Sequence, residues 1–164
     1  MQRHAAVVLF SAAGVAYFLD RVSKIWVERT LPGEPIEVIP GVFTLRFTTN
    51  SGGAFSIGGS TPWIFATATI VVSIVIVATA FRHRSILTAI ALGLILGGAL
   101  GNLTDRIARG PAFSGKVVDF VDLHVWPIFN MADSAIVVGA VLLAIGSFRS
   151  DRRDPERADP EGSP

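Results

Sequence analysis

The chain has no cysteine among its 164 residues, which excludes disulfide bonds, thiolate metal sites and a cysteine nucleophile. It also lacks the G-x-S-x-G, P-loop and H-E-x-x-H patterns, so nucleophile-elbow serine hydrolase, nucleotide-binding and zincin functions have no support. The net charge is only +1, with the basic residues scattered or placed at the ends of apolar segments, and we expect no nucleic-acid partner. Any chemistry must therefore come from oxygen and nitrogen side chains.

Charged residues are also scarce, at 16% of the chain, whereas hydrophobic residues make up 51% and the mean hydropathy is +0.55. These values favour a membrane protein over a soluble domain. Four apolar segments each approach the length needed to cross about 30 Å of hydrocarbon. We therefore predict an all-α membrane protein, a four-helix bundle forming one integral domain over residues 1–148. The helices are expected at about 5–27, 62–81, 85–103 and 126–148.

The first apolar run follows the basic start MQRH and could also be a cleaved signal peptide. Its continuation into DRVSKIWVERT, where Trp26 suits a membrane interface, favours an uncleaved helix. The three later apolar segments support the same interpretation.

The segment between the first two helices changes in composition to a Pro- and Gly-punctuated stretch. The alternation in VFTLRFTT predicts a small β-platform over about 34–58, outside the bilayer. The tail, 149–164, is charged and Pro-rich, and we predict that it is disordered.

Four spans would place both termini on one side of the membrane. Basic residues divide equally between the two sides, so only the dense RHR turn at 82–84 and the basic tail favour cytoplasmic termini. The β-platform and the outer ends of the helices would then be extracytoplasmic.

Polar residues from separate segments are expected to converge at that same face, because the ends of successive helices alternate in an up-down bundle. These residues are Asp20, Lys24, Asn50, Asn102, Asp105, Arg106, Asp119, Asn130 and Asp133. Ionisable groups at membrane depth are costly, and they mark a functional site unless they are paired or reach the interface.

Each of these residues also has a purely structural interpretation. Asp133 could cap the last helix, and Asp20 with Lys24 forms an i, i+4 pair suited to any helix end. Asp105 could simply orient Arg106. Asn102 and Asn130 could close hydrogen bonds between helices. Asp119, Asp122 and His124 form the pattern D-x-x-D-x-H, but one histidine near carboxylates is weak support for a metal site, and we expect no metal or cofactor.

A pair of aspartates can catalyse hydrolysis without a cysteine, a serine nucleophile, a metal or a nucleotide. If Asp119 and Asp133 meet at the mouth of the bundle, two close carboxylates in a poorly hydrated site would share one proton. The ionised partner could take a proton from water while the protonated partner hydrogen-bonds a scissile carbonyl, as in aspartic proteases.

Five blocks, in order and position, resemble the bacterial lipoprotein signal peptidase family, also called signal peptidase II. They are DRVSK at 20–24, TTNSGGAFS at 48–56, GNLTDR at 101–106, VVDF at 117–120 and FNMADS at 129–134. The resemblance covers nearly the whole chain.

This resemblance implies an aspartic endopeptidase of the bacterial cytoplasmic membrane, with Asp119 and Asp133 as the catalytic dyad at the outer face. It implies cleavage of membrane-borne prolipoproteins just before the diacylglyceryl-modified cysteine of the lipobox, and inhibition by cyclic peptides such as globomycin. It further implies a small extracytoplasmic β-platform. The implied substrate-site residues are Asn50, Asn102, Arg106 and Asn130, and the implied supporting residues are Asp20, Lys24, Asp105 and Ala132.

The chain departs from the family pattern in three places. DRVSK stands for DQ-x-[ST]-K, NSGGAFS stands for N-x-G-A-A-F-S, and the stretch RIARGPAFSGKVVDF is longer than in many members. None of these departures removes a dyad residue. Two other function classes compete with the peptidase: a small proton-coupled transporter, which would place charges near the bilayer midplane, and a non-enzymatic assembly factor.

Overall fold

The computed structural model describes residues 2–52, 62–82 and 85–151. Within these residues, three helices are long and apolar enough to cross a membrane, namely Arg3–Thr30, Ile86–Ala108 and Met131–Phe148, and Trp63–Thr79 is a shorter apolar helix. In chain order the four helices are α1 (Gln2–Thr30), α2 (Pro62–Thr79), α3 (Ile86–Ala108) and α4 (Met131–Asp151). The predicted helical membrane architecture is confirmed.

Helix α3 lies at the centre of the bundle, and its glycines let the neighbouring backbones approach closely. A Cβ added at Gly93 or at Gly97 would lie 2.4 Å from the carbonyl oxygen of Leu9 or Ala13 on α1. A Cβ at Gly98 would lie 2.4 Å from the carbonyl oxygen of Ala132 on α4. Small residues permit this contact in a membrane, where packing rather than the hydrophobic effect joins helices. The C-terminal ends of α1 and α3 lie beside the N-terminal end of α4.

A three-stranded antiparallel sheet lies at this end of the bundle, in the order β1 (Ile36–Ile39), β2 (Phe43–Asn50) and β3 (Val117–Asp122). The expected platform at 34–58 was incomplete, because its third strand comes from the chain just before α4. Strand β3 is buried at five of its six positions, so it lacks the alternation by which a half-exposed strand is recognised. The part of the expected platform at 53–58 lies outside the described residues.

The expected start of the fourth helix near residue 126 is also wrong, because α4 begins at Met131. Pro127 lies in the intervening segment, and Phe129 forms a β-bridge with Val121 of β3. Phe129 is therefore used in strand-like pairing with β3, and Asn130 then caps the helix. The turn residues 83 and 84 and the tail from 152 lie outside the described residues.

The sheet is fixed to the bundle by a small apolar core. Val27 from α1 and Leu31, which directly follows α1, pack with Val118 and Phe120 from β3, and all four side chains are buried. Because residues alternate along a strand, this packing turns Asp119 to the other face of β3 from its two neighbours. The core therefore sets the position of one carboxyl group of the candidate site.

Candidate active site

Asn130 brings together the two aspartates on which the site depends, and we call Asp119 and Asp133 the carboxyl pair. Its side-chain Nδ2 donates to Asp119 Oδ1 at 2.7 Å. Its backbone N–H donates to Asp133 Oδ2 at 3.3 Å, and the Asp133 N–H donates to Asn130 Oδ1 at 2.9 Å. This reciprocal arrangement is a capping box, with Asn130 at the N-cap of α4. One residue thus caps the helix and holds a carboxyl group from each of two elements.

Asn102 on α3 holds Asp133 from the other side. Its Nδ2 donates to Asp133 Oδ1 at 2.8 Å. Its Oδ1 accepts from Lys24 Nζ at 2.9 Å and from Asn130 Nδ2 at 3.2 Å. Because an ammonium group can only donate, Lys24 fixes which end of the Asn102 amide faces the carboxylate.

Asn50 ends strand β2 and reaches the carboxyl pair from the sheet. Its side chain hydrogen-bonds Asp119. Its Oδ1 accepts from the backbone N–H of Gly52 at 2.8 Å. Asn50, Asn102 and Asn130, three residues expected in the substrate site, therefore surround the carboxyl pair with amides.

Arg106 is 5% exposed and is held by the chain that follows β2. Its guanidinium donates to the carbonyl oxygens of Gly52 at 2.7 Å and of Ser51 at 3.4 Å. It also lies over the ring of Phe65, 5.6 Å from the centroid, which links α3 to α2. The charge of Arg106 acts on both members of the carboxyl pair.

A separate group of charged side chains lies next to the carboxyl pair. We call it the ion cluster, and it consists of Lys24, Asp20, Asp105 and the residues that pair with them. Lys24 has a fully buried side chain and lies 2.9 Å from Asp20 Oδ2 and 3.0 Å from Asp105 Oδ2. Asp20 Oδ1 accepts the backbone N–H of Ala132 at 3.0 Å. Asp105 Oδ2 accepts the backbone N–H of Val118 at 3.2 Å, so the ion cluster contacts both elements that carry the carboxyl pair.

Sequence reasoning missed the outer members of the ion cluster. Arg21 and Arg109 both pair with Asp105, and Arg109 also pairs with Glu28. The i, i+4 spacing of Asp105 and Arg109 was the available signal for one of these pairs. The other two join α1 to the end of α3 and follow no local spacing rule. Asp105 is therefore bonded to Lys24, Arg21 and Arg109, whereas Arg106 is bonded to backbone carbonyls.

Burial raises the pKa of Asp119 to about 6, and the negative charge of Asp133 adds to the effect. Hydrogen bonds from Asn130 and Asn50 and the charge of Lys24 oppose the rise. The pKa of Asp119 therefore lies above the usual range of an aspartate carboxyl group.

No group of three or more His, Asp or Glu side chains arranged to hold a metal occurs in the part of the chain that the structure describes. Asp122 lies on the opposite face of β3 from Asp119. There it pairs with Arg46 and accepts the backbone N–H of His124 at 2.8 Å.

A family model described as "Signal peptidase (SPase) II" matches residues 12–149. The chain is 46% identical to a lipoprotein signal peptidase of Streptomyces coelicolor over 158 residues, covering 95% of this chain and 74% of the relative. It is 41% identical to a lipoprotein signal peptidase of Desulfitobacterium hafniense over 152 residues, covering 90% of this chain and 97% of the relative.

Two solved structures, each described as a bacterial membrane enzyme, share the fold. The first has a TM-score of 0.77 at 28% identity and covers 95% of this chain and 94% of its own. The second has a TM-score of 0.70 at 31% identity and covers 84% of this chain and 90% of its own. The enzyme prediction is thus confirmed over the transporter and assembly-factor alternatives.

Proposed function

Because the chain belongs to the signal peptidase II family, and is therefore a multi-pass bacterial membrane protease, we propose that it removes signal peptides from prolipoproteins. The bond cleaved is the one before the diacylglyceryl-modified cysteine of the lipobox. The observation that carries the proposal is the carboxyl pair, whose members come from β3 and α4 and are joined by one asparagine. Asp119 and Asp133 are the catalytic residues.

In the proposed mechanism Asp133 is the ionised partner and Asp119 the protonated one. Asp133 accepts hydrogen bonds from Asn102 and from the Asn130 N–H, and it lies in the first turn of α4, where the helix dipole favours negative charge. Asp119 has its pKa raised to about 6, so it retains a proton more readily. This difference in surroundings supports Asp133 as the base and Asp119 as the acid in the proposed mechanism.

The reaction begins when Asp133 takes a proton from a water molecule. The resulting hydroxyl oxygen bonds to the scissile carbonyl carbon while Asp119 donates its hydrogen to the carbonyl oxygen. When the tetrahedral intermediate collapses, the carbon–nitrogen bond breaks, the amine of the modified cysteine takes the proton held by Asp133, and Asp119 takes back a proton from one hydroxyl group of the intermediate. The products are a free carboxyl end on the signal peptide and a free amino end on the lipoprotein.

The remaining family-implied features complete the proposal. Asn50, Asn102, Arg106 and Asn130 line the substrate site around the carboxyl pair. The site faces the extracytoplasmic side of the membrane, and both termini are cytoplasmic. Membrane lipid surrounds the helices, and globomycin-type cyclic peptides would inhibit cleavage by occupying the substrate site.

The test is cleavage of a diacylglyceryl-modified lipobox peptide by the purified full chain in detergent. We expect Asp119→Asn and Asp133→Asn each to reduce the cleavage rate by at least about 10²- to 10⁴-fold, because each removes a proton-transfer group. The matched control is Asp122→Asn, a buried aspartate on the same strand as Asp119 whose partner is Arg46.

The outcomes separate the components of the proposal. Normal cleavage by either dyad variant would move catalysis to another carboxylate, and inhibition by a chelator would contradict a mechanism that needs no metal. Absence of cleavage by the unmodified protein would overturn the proposed substrate.

Arg106→Ala should weaken cleavage less completely than loss of either dyad aspartate. The reason is that Arg106 holds other groups in position and transfers no proton in the mechanism. Steady-state rates for the three variants, measured on the same peptide, provide the comparison. A loss from Arg106→Ala equal to that from Asp133→Asn would contradict this ranking.

A further inference from the structure

We infer that Arg106 is a positioning residue for Asp119, which it reaches through the backbone turn after strand β2 and through Asn50. This inference rests on the proposed function, because its readout is the cleavage reaction. It assigns to Arg106 a task that differs from direct contact with the substrate. Three successive contacts carry it: from Arg106 to the turn, within the turn, and from Asn50 to Asp119.

In the first contact, Arg106 donates two hydrogen bonds to the turn. The guanidinium of Arg106 donates through one nitrogen to the carbonyl of Gly52 at 2.7 Å and through another to the carbonyl of Ser51 at 3.4 Å. The planar fork of a guanidinium suits two adjacent acceptors, whereas a lysine ammonium is a single point charge. The ring of Phe65 covers the guanidinium and helps to fix its plane.

The second contact lies within the turn. The N–H of Gly52 donates to Asn50 Oδ1 at 2.8 Å, which closes an Asx turn. The peptide unit that follows Gly52 thus has its carbonyl held by Arg106, and the unit that precedes Gly52 has its N–H held by Asn50. Movement of the turn away from Arg106 would therefore move the Asn50 side chain as well.

The third contact reaches the reacting group. Because the Asn50 oxygen already accepts from Gly52, the Asn50 NH₂ group is the end available to donate to Asp119. That donation stabilises the ionised form of Asp119 and opposes the rise in its pKa. By holding the turn and hence Asn50 in place, Arg106 therefore maintains a hydrogen bond that lowers the pKa of Asp119.

The positive charge of Arg106 by itself is a second explanation for an effect on Asp119. The test must separate this explanation from the contact through the turn. Asp119 is faced by the charges of Asp133 and Lys24 as well as by the amides of Asn130 and Asn50. The positive charge of Arg106 also acts on Asp119. A simple Arg106→Ala effect on the pH profile would therefore not distinguish the turn from the charge.

The experiment measures kcat and KM against pH for the full chain on the diacylated peptide. The variants are Arg106→Lys, Arg106→Ala, Asn50→Ala and the double variant Arg106→Ala with Asn50→Ala. We expect each single variant to lower kcat by up to about 100-fold, the scale associated with a small misplacement of a catalytic group. Each should also move the alkaline limb of the kcat profile to higher pH, because Asp119 loses a hydrogen bond that favours its ionised form.

Two results identify the turn as the route. Arg106→Lys keeps the charge yet should still shift the profile, and the double variant should be no worse than the more impaired single variant. The matched control is Arg46→Ala, which removes an arginine from the same strand as Asn50 but one that pairs with Asp122. Its pH profile should match that of the unmodified protein.

The contrary results are equally specific. A wild-type pH profile in Arg106→Lys, with multiplied losses in the double variant, would show that Arg106 acts by charge. A higher KM with an unchanged kcat profile would show that Arg106 acts on substrate binding. Failure of the unmodified protein to cleave would instead count against the proposed function.

Discussion

Two groups of carboxylates lie at the same end of the helix bundle and are held in different ways. In the ion cluster, Asp20 and Asp105 are bonded to Lys24, and Asp105 is further paired with arginines. In the carboxyl pair, the hydrogen-bond partners of Asp119 and Asp133 are asparagine side chains and a backbone N–H. Several cations around one carboxylate, as around Asp105, favour its charged form, whereas burial and the neighbouring charge of Asp133 raise the pKa of Asp119.

Lys24 is the residue at which the two groups meet. It neutralises carboxylates of the ion cluster, and it also donates to Asn102, whose other end holds Asp133. Through Asn102, Lys24 therefore helps to orient Asp133. The salt bridges of Lys24 are to Asp20 and Asp105, within the ion cluster. The amide of Asn102 thus lies between the ion cluster and the carboxyl pair.

Lys24→Met gives the largest effect on stability that this comparison predicts. The variant leaves two buried carboxylates without their shared cation, and breaking a buried ion pair in this way costs about 3–5 kcal/mol. Thermal unfolding in detergent should show a large loss of stability in Lys24→Met and only a small change in Asp133→Asn. Equal unfolding temperatures for Lys24→Met and the unmodified protein would contradict a structural role for the ion cluster.

Gly101→Ala sharpens the comparison by disturbing the ion cluster through packing alone. A Cβ at Gly101 would lie 2.4 Å from Asp20 Oδ2, so the carboxylate must shift away from its place beside Lys24. Overpacking of this kind costs about 1–3 kcal/mol. The matched control is Gly14→Ala, where an added Cβ meets nothing within 4 Å. Unfolding temperatures should fall for Gly101→Ala and remain close to the unmodified value for Gly14→Ala.

The smallest predicted effect is a shift in the titration of Asp119. Infrared spectra of the substrate-free protein should show a protonated carboxyl band that disappears as pH rises through about 6, because burial and Asp133 raise the pKa of Asp119. Asp119→Asn should remove this band. Asp133→Asn should move its midpoint to lower pH, since it removes the neighbouring negative charge. A midpoint that rises in Asp133→Asn would contradict electrostatic coupling within the carboxyl pair.

Sequence patterns located most of the helices because apolar runs of sufficient length have few alternatives to a membrane span. They failed where the chain changes structure within an apolar run. Residues 126–130 continue the hydropathy of α4, yet they are not helical: Phe129 pairs with β3, and the helix starts only after the capping box at Asn130. Strand β3 was missed because burial on both faces removes the alternation that identifies a strand.

The sequence by itself determined the membrane class, the polar residues that converge at one end, and through the ordered motifs the family to which the chain belongs. These properties follow from the composition and the order of the residues, so they can be inferred without knowledge of tertiary contacts. Tertiary structure alone decided which carboxylates receive cations and which receive amides. Asp105 and Asp119 are the same residue type, but the packing of α1 and α3 places Lys24 and Arg21 beside Asp105. The pairing of β3 with β2, and the cap of α4, place Asn50 and Asn130 beside Asp119.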